Sequence, residues 1–330
     1  MKVCFFDAHQ FDRDIFDKEN KNYNFEISYI SSHLNSHTAL LTKGYECVCV
    51  FTNDKVDQEV LDKLSQNGVK LVALRCAGFN QIDIEYAKKL KIKVVRVPEY
   101  SPYAIAEHVI ALILTLNRKI HKAYNRVREG NFSLDGLVGF DLHGKTVGVI
   151  GTGKIGKVLI NILRGFKVNV IAYDKFRDEK AQKELGFKYV ELSELLTQSH
   201  IVSLNIPLND ETFHLINKER LSQMKEGALI INTGRGGLIE TSALIDQLKS
   251  GHIGGAGLDV YEEEEEFFFK DMSAKVLTDD ILARLLTFPN VILTSHQGFL
   301  TEEALSNIAH TTLQSIKDYQ NKKPLENLVE

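Results

Sequence analysis

Three residues able to do chemistry each stand just past an apolar run: Arg235 in INTGRGGLI, Glu264 inside the acidic run 262–266, and His296 in ILTSHQGF. An arginine fork grips a carboxylate at two points, which lysine cannot copy. An imidazole gives or takes a proton near neutral pH. A carboxylate beside an imidazole stabilises the imidazolium, the form that donates to a carbonyl oxygen. Together these are what a protein must offer a 2-oxo or 2-hydroxy acid during hydride transfer. Taken singly, each has a plainer reading: a capping arginine, a satisfied loop histidine, a solvated charge run. Periodicity does not say which of the five glutamates faces the histidine.

The remaining requirement is a hydride carrier, and Thr146–Asp174, TVGVIGTGKIGKVLINILRGFKVNVIAYD, supplies a place for one. An apolar run enters Gly151-Thr-Gly153-Lys-Ile-Gly156. Apolar residues at helical spacing follow, then a β-branched run ending on Asp174, 18 residues beyond Gly156. This is the strand, glycine turn, helix, strand and acid of a dinucleotide-binding βαβ unit. Gly151 permits the tight turn, Gly153 lets backbone approach a pyrophosphate, and Gly156 lets helix lie close on strand. The helix N-terminus faces the phosphates. Asp174 can accept both ribose hydroxyls and repel a 2′-phosphate, so NAD is expected over NADP.

These positions need parallel strands, because doubly wound sheets gather ligands at their carboxyl ends. Beyond the glycine unit, strands are expected at 201–206, 228–232, 255–260 and 291–294, with a last helix from Glu302 to about Tyr319. Before it, strands at 3–7, 26–31, 47–51, 71–74 and 94–97 alternate with helices such as 56–66 and 82–90, a second parallel α/β pattern. At 330 residues, two domains are the natural expectation. Ser101-Pro102 opens a helix, AIAEHVIALILTLNR, apolar nearly all round, which should be buried on several sides and take part in a subunit interface. A net charge of −4 argues against nucleic acid or a membrane surface as partner. No apolar stretch approaches a bilayer span, and the first residues do not resemble a signal peptide. Cys4, Cys47, Cys49 and Cys76 lack metal-ligand spacing and read as reduced thiols of a cytoplasmic protein. No metal is expected.

GTGKIG, TGRGG, DVYEEEEE and SHQGFLTEEA, with VPEYSPYAIAEHV and NRKIHKAYNRVREGNFSLDGL, resemble the D-isomer-specific 2-hydroxyacid dehydrogenase family over essentially the whole chain, nearest its NAD-dependent fermentative D-lactate dehydrogenases. The resemblance implies two doubly wound parallel-sheet domains: a Rossmann NAD domain, 101–297, inserted into a flavodoxin-like substrate domain of 1–100 plus 298–330, with substrate in the cleft. It implies Arg235 on the substrate carboxylate, His296 as acid/base and Glu264 as its partner. Lys154 and Ile155 would flank the pyrophosphate turn. Ile206, Pro207, Thr233, Gly234 and Asp259 would line the nicotinamide side, and Ala77, Gly78, Tyr100 and Phe299 would complete the substrate pocket. Pyruvate and D-lactate are the implied substrate pair. A homo-oligomer, dimer or tetramer, is expected through the 102–120 helix region. The alternatives are a dehydrogenase of a bulkier D-2-hydroxy acid and an NAD-sensing protein without catalysis. Gly234 and Gly237 depart from the Ser or Ala more usual there, which should loosen the arginine loop. Tyr103 departs without obvious consequence.

Overall fold

The computed structural model describes residues 1–329, which form two compact units: Met1–Ser101 with the chain from Leu300 onward, and Pro102–Phe299. The first contains β1 (Lys2–Phe5), α1 (Gln10–Asn20), β2 (Glu26–Tyr29), β3 (Cys47–Val50), α2 (Gln58–Gln66), β4 (Leu71–Leu74), α3 (Ile84–Lys89) and β5 (Lys93–Arg96), with the last helix, Glu302–Gln320, packed on α1 and β4. Its five strands are parallel in the order β2-β1-β3-β4-β5. CVCV and LVAL in β3 and β4 are buried at every residue, as in a parallel sheet covered on both faces. Elements end where side chains or backbone stop them. β1 stops before Asp7, which sits at φ 49° in the left-handed region. Asp57 and Asp83 accept from the amides of Val60 and Tyr86, so α2 and α3 start two residues later than the apolar pattern predicts.

The second unit runs α4 (Pro102–Arg118), α5 (Ile120–Arg128), β6 (Thr146–Ile150), α6 (Lys154–Gly165), β7 (Asn169–Tyr173), α7 (Glu179–Leu185), β8 (Lys188–Tyr189), α8 (Leu192–Gln198), β9 (Ile201–Leu204), α9 (Lys218–Gln223), β10 (Ala228–Asn232), α10 (Thr241–Ser250), β11 (Ile253–Leu258), α11 (Asp280–Leu286) and β12 (Val291–Leu293). All seven strands are parallel, in the order β12-β11-β10-β9-β6-β7-β8. The order reverses direction between β6 and β9, the position at which doubly wound sheets bind dinucleotides. The apolar faces of α4 are spent inside this unit, against α6, β10, β11 and β12. α5, which sequence pattern did not separate from α4, begins after Lys119 takes a left-handed conformation at φ 51°. No helix among the described residues is long and apolar enough to cross a membrane. All four cysteines are buried thiols.

Candidate active site

Gly151, Asp174, Asn205, Arg235, Asp259 and His296 all follow carboxyl ends of strands in this one parallel sheet, so they share an edge. Gly151 has φ 95°, and a Cβ there would strike the backbone of Asn205 and the side chain of Ile206. A Cβ on Gly156 would strike the Gly151 carbonyl, which is how closely α6 lies on the turn. Nothing lies within 4 Å of where a Gly153 Cβ would stand, and no side chain caps α6 at that residue. The first-turn amides are thus presented to an anion across bare backbone. The Asp174 carboxylate is fixed beside them: Oδ2 accepts from the Thr152 amide at 2.6 Å and its hydroxyl at 3.0 Å, and Oδ1 accepts from the Phe176 amide at 2.8 Å. The Thr152 hydroxyl also bonds Tyr189 Oη at 2.7 Å, a brace that sequence spacing gave no means of finding. These residues fit NAD: a glycine cradle for the pyrophosphate, and an oriented carboxylate for the adenosine ribose.

The arginine loop is held by the last residue of β10. Asn232 Oδ1 accepts from the Gly234 amide at 3.0 Å, and its Nδ2 donates to the Arg235 carbonyl at 2.8 Å. A Cβ on Gly236 would collide with the backbone of Tyr261 and Glu262, so this loop is seated directly on the one that carries the glutamates. Positions 234 and 237 have neighbours at 3.2 Å or more and are closely surrounded as glycines. The Arg235 Nη1 donates to the Gly234 carbonyl at 2.8 Å. Among the described residues no carboxylate lies within 4 Å of this guanidinium, and its other donors have no protein acceptor.

The acidic run is sorted by its partners. Glu264 Oε1 lies 2.6 Å from His296 Nδ1, and its Oε2 accepts from the Tyr261 amide at 2.9 Å. The two side chains are 14% and 16% exposed. Glu262 holds a second histidine: its Oε1 is 2.6 Å from His214 Nε2 and its Oε2 accepts from the Thr241 amide at 2.9 Å. Glu263, Glu265 and Glu266 are exposed. Because a carboxylate only accepts, the His296 Nδ1 is assigned the proton. His296 Nε2 has no protein partner among the described residues. The Phe269 ring centroid is 6.2 Å from that imidazole.

Other expected residues fall as follows. Lys154 and Ile155 open α6; Ile206 and Pro207 follow β9; Thr233 is buried beside the arginine loop. The Asp259 side chain, 1% exposed, is occupied with the chain around His296 rather than turned outward. In the first unit, Ala77 and Gly78 follow β4, and neither amide has a protein acceptor among the described residues. The Tyr100 carbonyl accepts from Asn307 Nδ2 at 2.6 Å. Phe299 is buried at the end of the second unit. Sequence reasoning passed over Asn232, Gly236, His214, Glu262, His108 and Thr294. The available signal was polar residues ending apolar strands, at Asn232 and Thr294.

A reversing parallel sheet, a glycine cradle with an oriented carboxylate beside it, and a paired histidine on the same sheet edge as an arginine are features that a dinucleotide-dependent oxidoreductase would use. Residues 110–298 match the family model described as D-isomer specific 2-hydroxyacid dehydrogenase, NAD binding domain. A Haemophilus influenzae protein named 2-hydroxyacid dehydrogenase homolog is 51% identical, covering 100% of this chain and 99% of that one. Among solved structures, the apo D-lactate dehydrogenase of Escherichia coli is 44% identical with a TM-score of 0.92 over 100% of both chains. The pyruvate reductase of Chlamydomonas reinhardtii is 44% identical with a TM-score of 0.94, over 99% of this chain and 98% of that one. The chain belongs to the D-isomer-specific 2-hydroxyacid dehydrogenase family, and NAD is its cofactor.

Proposed function

We propose that this protein is an NAD-dependent D-lactate dehydrogenase that reduces pyruvate, with His296 as the proton donor. The 2.6 Å pair between Glu264 and His296, on the sheet edge that carries Arg235, is the observation that supports this reading most directly. When bound, NADH supplies the hydride. Arg235 holds the pyruvate carboxylate with two N–H groups, which fixes the keto carbon in one orientation. His296 Nε2–H donates to the keto oxygen as it becomes an alkoxide, and the ring ends neutral, keeping its Nδ1 proton, which still donates a hydrogen bond to Glu264. Arg235 and the imidazolium together place positive charge where negative charge develops. The contacts assigned to Ala77, Gly78, Tyr100 and Phe299, the nicotinamide contacts of Ile206, Pro207, Thr233, Gly234 and Asp259, and a cytoplasmic location for these reduced thiols belong to the same proposal.

NADH oxidation with pyruvate, 2-oxoisocaproate and hydroxypyruvate side by side, with product chirality determined, tests it. Pyruvate should give the highest kcat/KM and D-lactate the only enantiomer. Faster turnover of 2-oxoisocaproate would assign the bulkier substrate, and no turnover of any would leave an NAD-binding protein.

A homo-oligomer belongs to this proposal too, with its surface moved along the chain. α4 buries most of its apolar residues within its own unit and leaves Tyr103 exposed, whereas α5 buries no residue and exposes Tyr124 and Val127, with Phe132, Leu134 and Val138 beyond it. Apolar area of that kind marks an association surface. Light scattering should give a multiple of 37.3 kDa that Tyr124→Glu with Val127→Glu reduces to the monomer.

A further inference from the structure

We infer that His108, on helix α4, is a positioning residue for the reaction: it closes a clasp on Asp259 and Thr294 that holds His296 in its working orientation. This rests on the reading of His296 as proton donor. Four contacts, from Thr294, His296, Gln297 and Gly298, wrap the chain after β12 around Asp259. The Asp259 carbonyl accepts from the His296 amide at 2.7 Å. Its Oδ1 accepts from the Thr294 hydroxyl at 2.5 Å and the Gln297 amide at 2.8 Å, and its Oδ2 accepts from the Gly298 amide at 2.8 Å. His108 reaches the same point from α4, its Nε2 lying 3.2 Å from both Asp259 Oδ1 and Thr294 Oγ1. The Thr294 hydroxyl donates its hydrogen bond to the carboxylate, so both oxygens facing His108 are acceptors, and Nε2 is assigned a hydrogen.

The clasp holds something that would otherwise move. His296 sits at φ 50°, in the left-handed region, which is uncommon for a residue other than glycine although histidine enters it more readily than most. If the chain relaxed toward an extended conformation, the imidazole would swing off Glu264. Gly298 shows how tightly the clasp is shut: a Cβ there would stand 3.0 Å from Asp259 Oδ2 and 3.5 Å from His108 Cδ2. Burial alone would raise the Asp259 carboxyl, yet the bonds from His108, Thr294 and Gly298 leave it below the ordinary carboxylate range, so a charged anchor is maintained.

The test compares His108→Leu, which keeps bulk and loses the donor, with His108→Gln, whose amide N–H reaches the same place. Thr294→Val, which removes the shared hydroxyl, is the second route into the clasp. In pyruvate reduction, His108→Leu and Thr294→Val should lower kcat about 10- to 100-fold, the scale on which a misplaced catalytic group loses rate. NADH affinity, read by fluorescence, should stay within about twofold, and His108→Gln should remain within about threefold of the parent. In imidazole-labelled protein, the downfield His296 Nδ1–H resonance should shift or broaden with Leu and persist with Gln. His296→Gln is the control for the parent reading: if it keeps its activity, the proton donor is elsewhere. If His296→Gln is dead while His108→Leu retains kcat and the resonance, the clasp plays no part. Equal losses with Leu and Gln, or a loss confined to NADH affinity, overturn it as well.

Discussion

Replacing Glu264 with Gln isolates the charge of the pair that supports the proposed chemistry. Glu264 and His296 meet at 2.6 Å with side chains 14% and 16% exposed, so water screens the interaction little. Unit charges about 4 Å apart at an effective dielectric constant near 20 attract by about 4 kcal/mol, an upper bound. The amide oxygen of glutamine still accepts a neutral hydrogen bond, and the difference between charged and neutral bonds is about 1–2 kcal/mol. Glu264 also accepts from the Tyr261 amide at 2.9 Å through its other oxygen, and in glutamine one of these two places is taken by an NH2 that only donates. Loss of the charge-assisted bond is therefore worth about 5- to 30-fold. In NADH oxidation by pyruvate, kcat/KM should fall by that factor, with NADH affinity unchanged. Wild-type kcat/KM would remove Glu264 as partner. A loss confined to thermal stability, with kcat/KM kept, would show that the carboxylate holds the loop and not the ring.

Arg235→Lys exchanges a two-point grip for a single ammonium contact, so KM for pyruvate should rise about 10- to 100-fold, the loss of one charge-assisted bond; steady-state kinetics with an unchanged KM would take the residue out of the substrate site. Asp174→Asn keeps an oxygen for the Thr152 amide and removes the charge, so the ratio of NADPH to NADH kcat/KM should rise about tenfold, and an unmoved ratio would place ribose discrimination elsewhere. Asp259 has a folded carboxyl below its unfolded value, so its stabilisation is complete above about pH 4 and is lost as pH falls through the folded value. Thermal melts from pH 7 to 3 should therefore show a shallower acid decline for Asp259→Asn than for the parent, and superimposable acid limbs would refute the linkage.

Most of this was legible in the sequence because the site follows strand ends, and strand ends are where apolar runs stop. The runs 71–74 and 228–232 coincide with β4 and β10 residue for residue. Elsewhere the apolar pattern overran the elements, since a run does not reveal the cap or left-handed residue that ends it, as Asp57 and Asp7 do. The glycine turn was readable because each glycine answers a steric demand that no other residue meets. Less readable was the use of the glutamates. Five in a row resemble a solvated face, and two of the five instead hold histidines that both sit in left-handed backbone, His214 at φ 48° and His296 at φ 50°. Nothing in spacing along a chain reports a pairing made across 32 or 48 residues.

The same sheet explains why the histidine needs so much support. β12, the strand that delivers His296, is three residues long, partly exposed at each of them, and pairs on one side only. A short edge strand supplies few ladder hydrogen bonds and frays first, so strand pairing alone cannot fix a side chain one turn beyond its end. The fixing comes from the neighbouring strand instead. Asp259, at the end of β11, binds the chain on both sides of His296, while Glu264, five residues further along, aims the ring. Position is set through one residue and orientation through the other. The placement of His296, the proposed proton donor, therefore depends on β11 and on α4 behind it more than on the strand that carries the histidine.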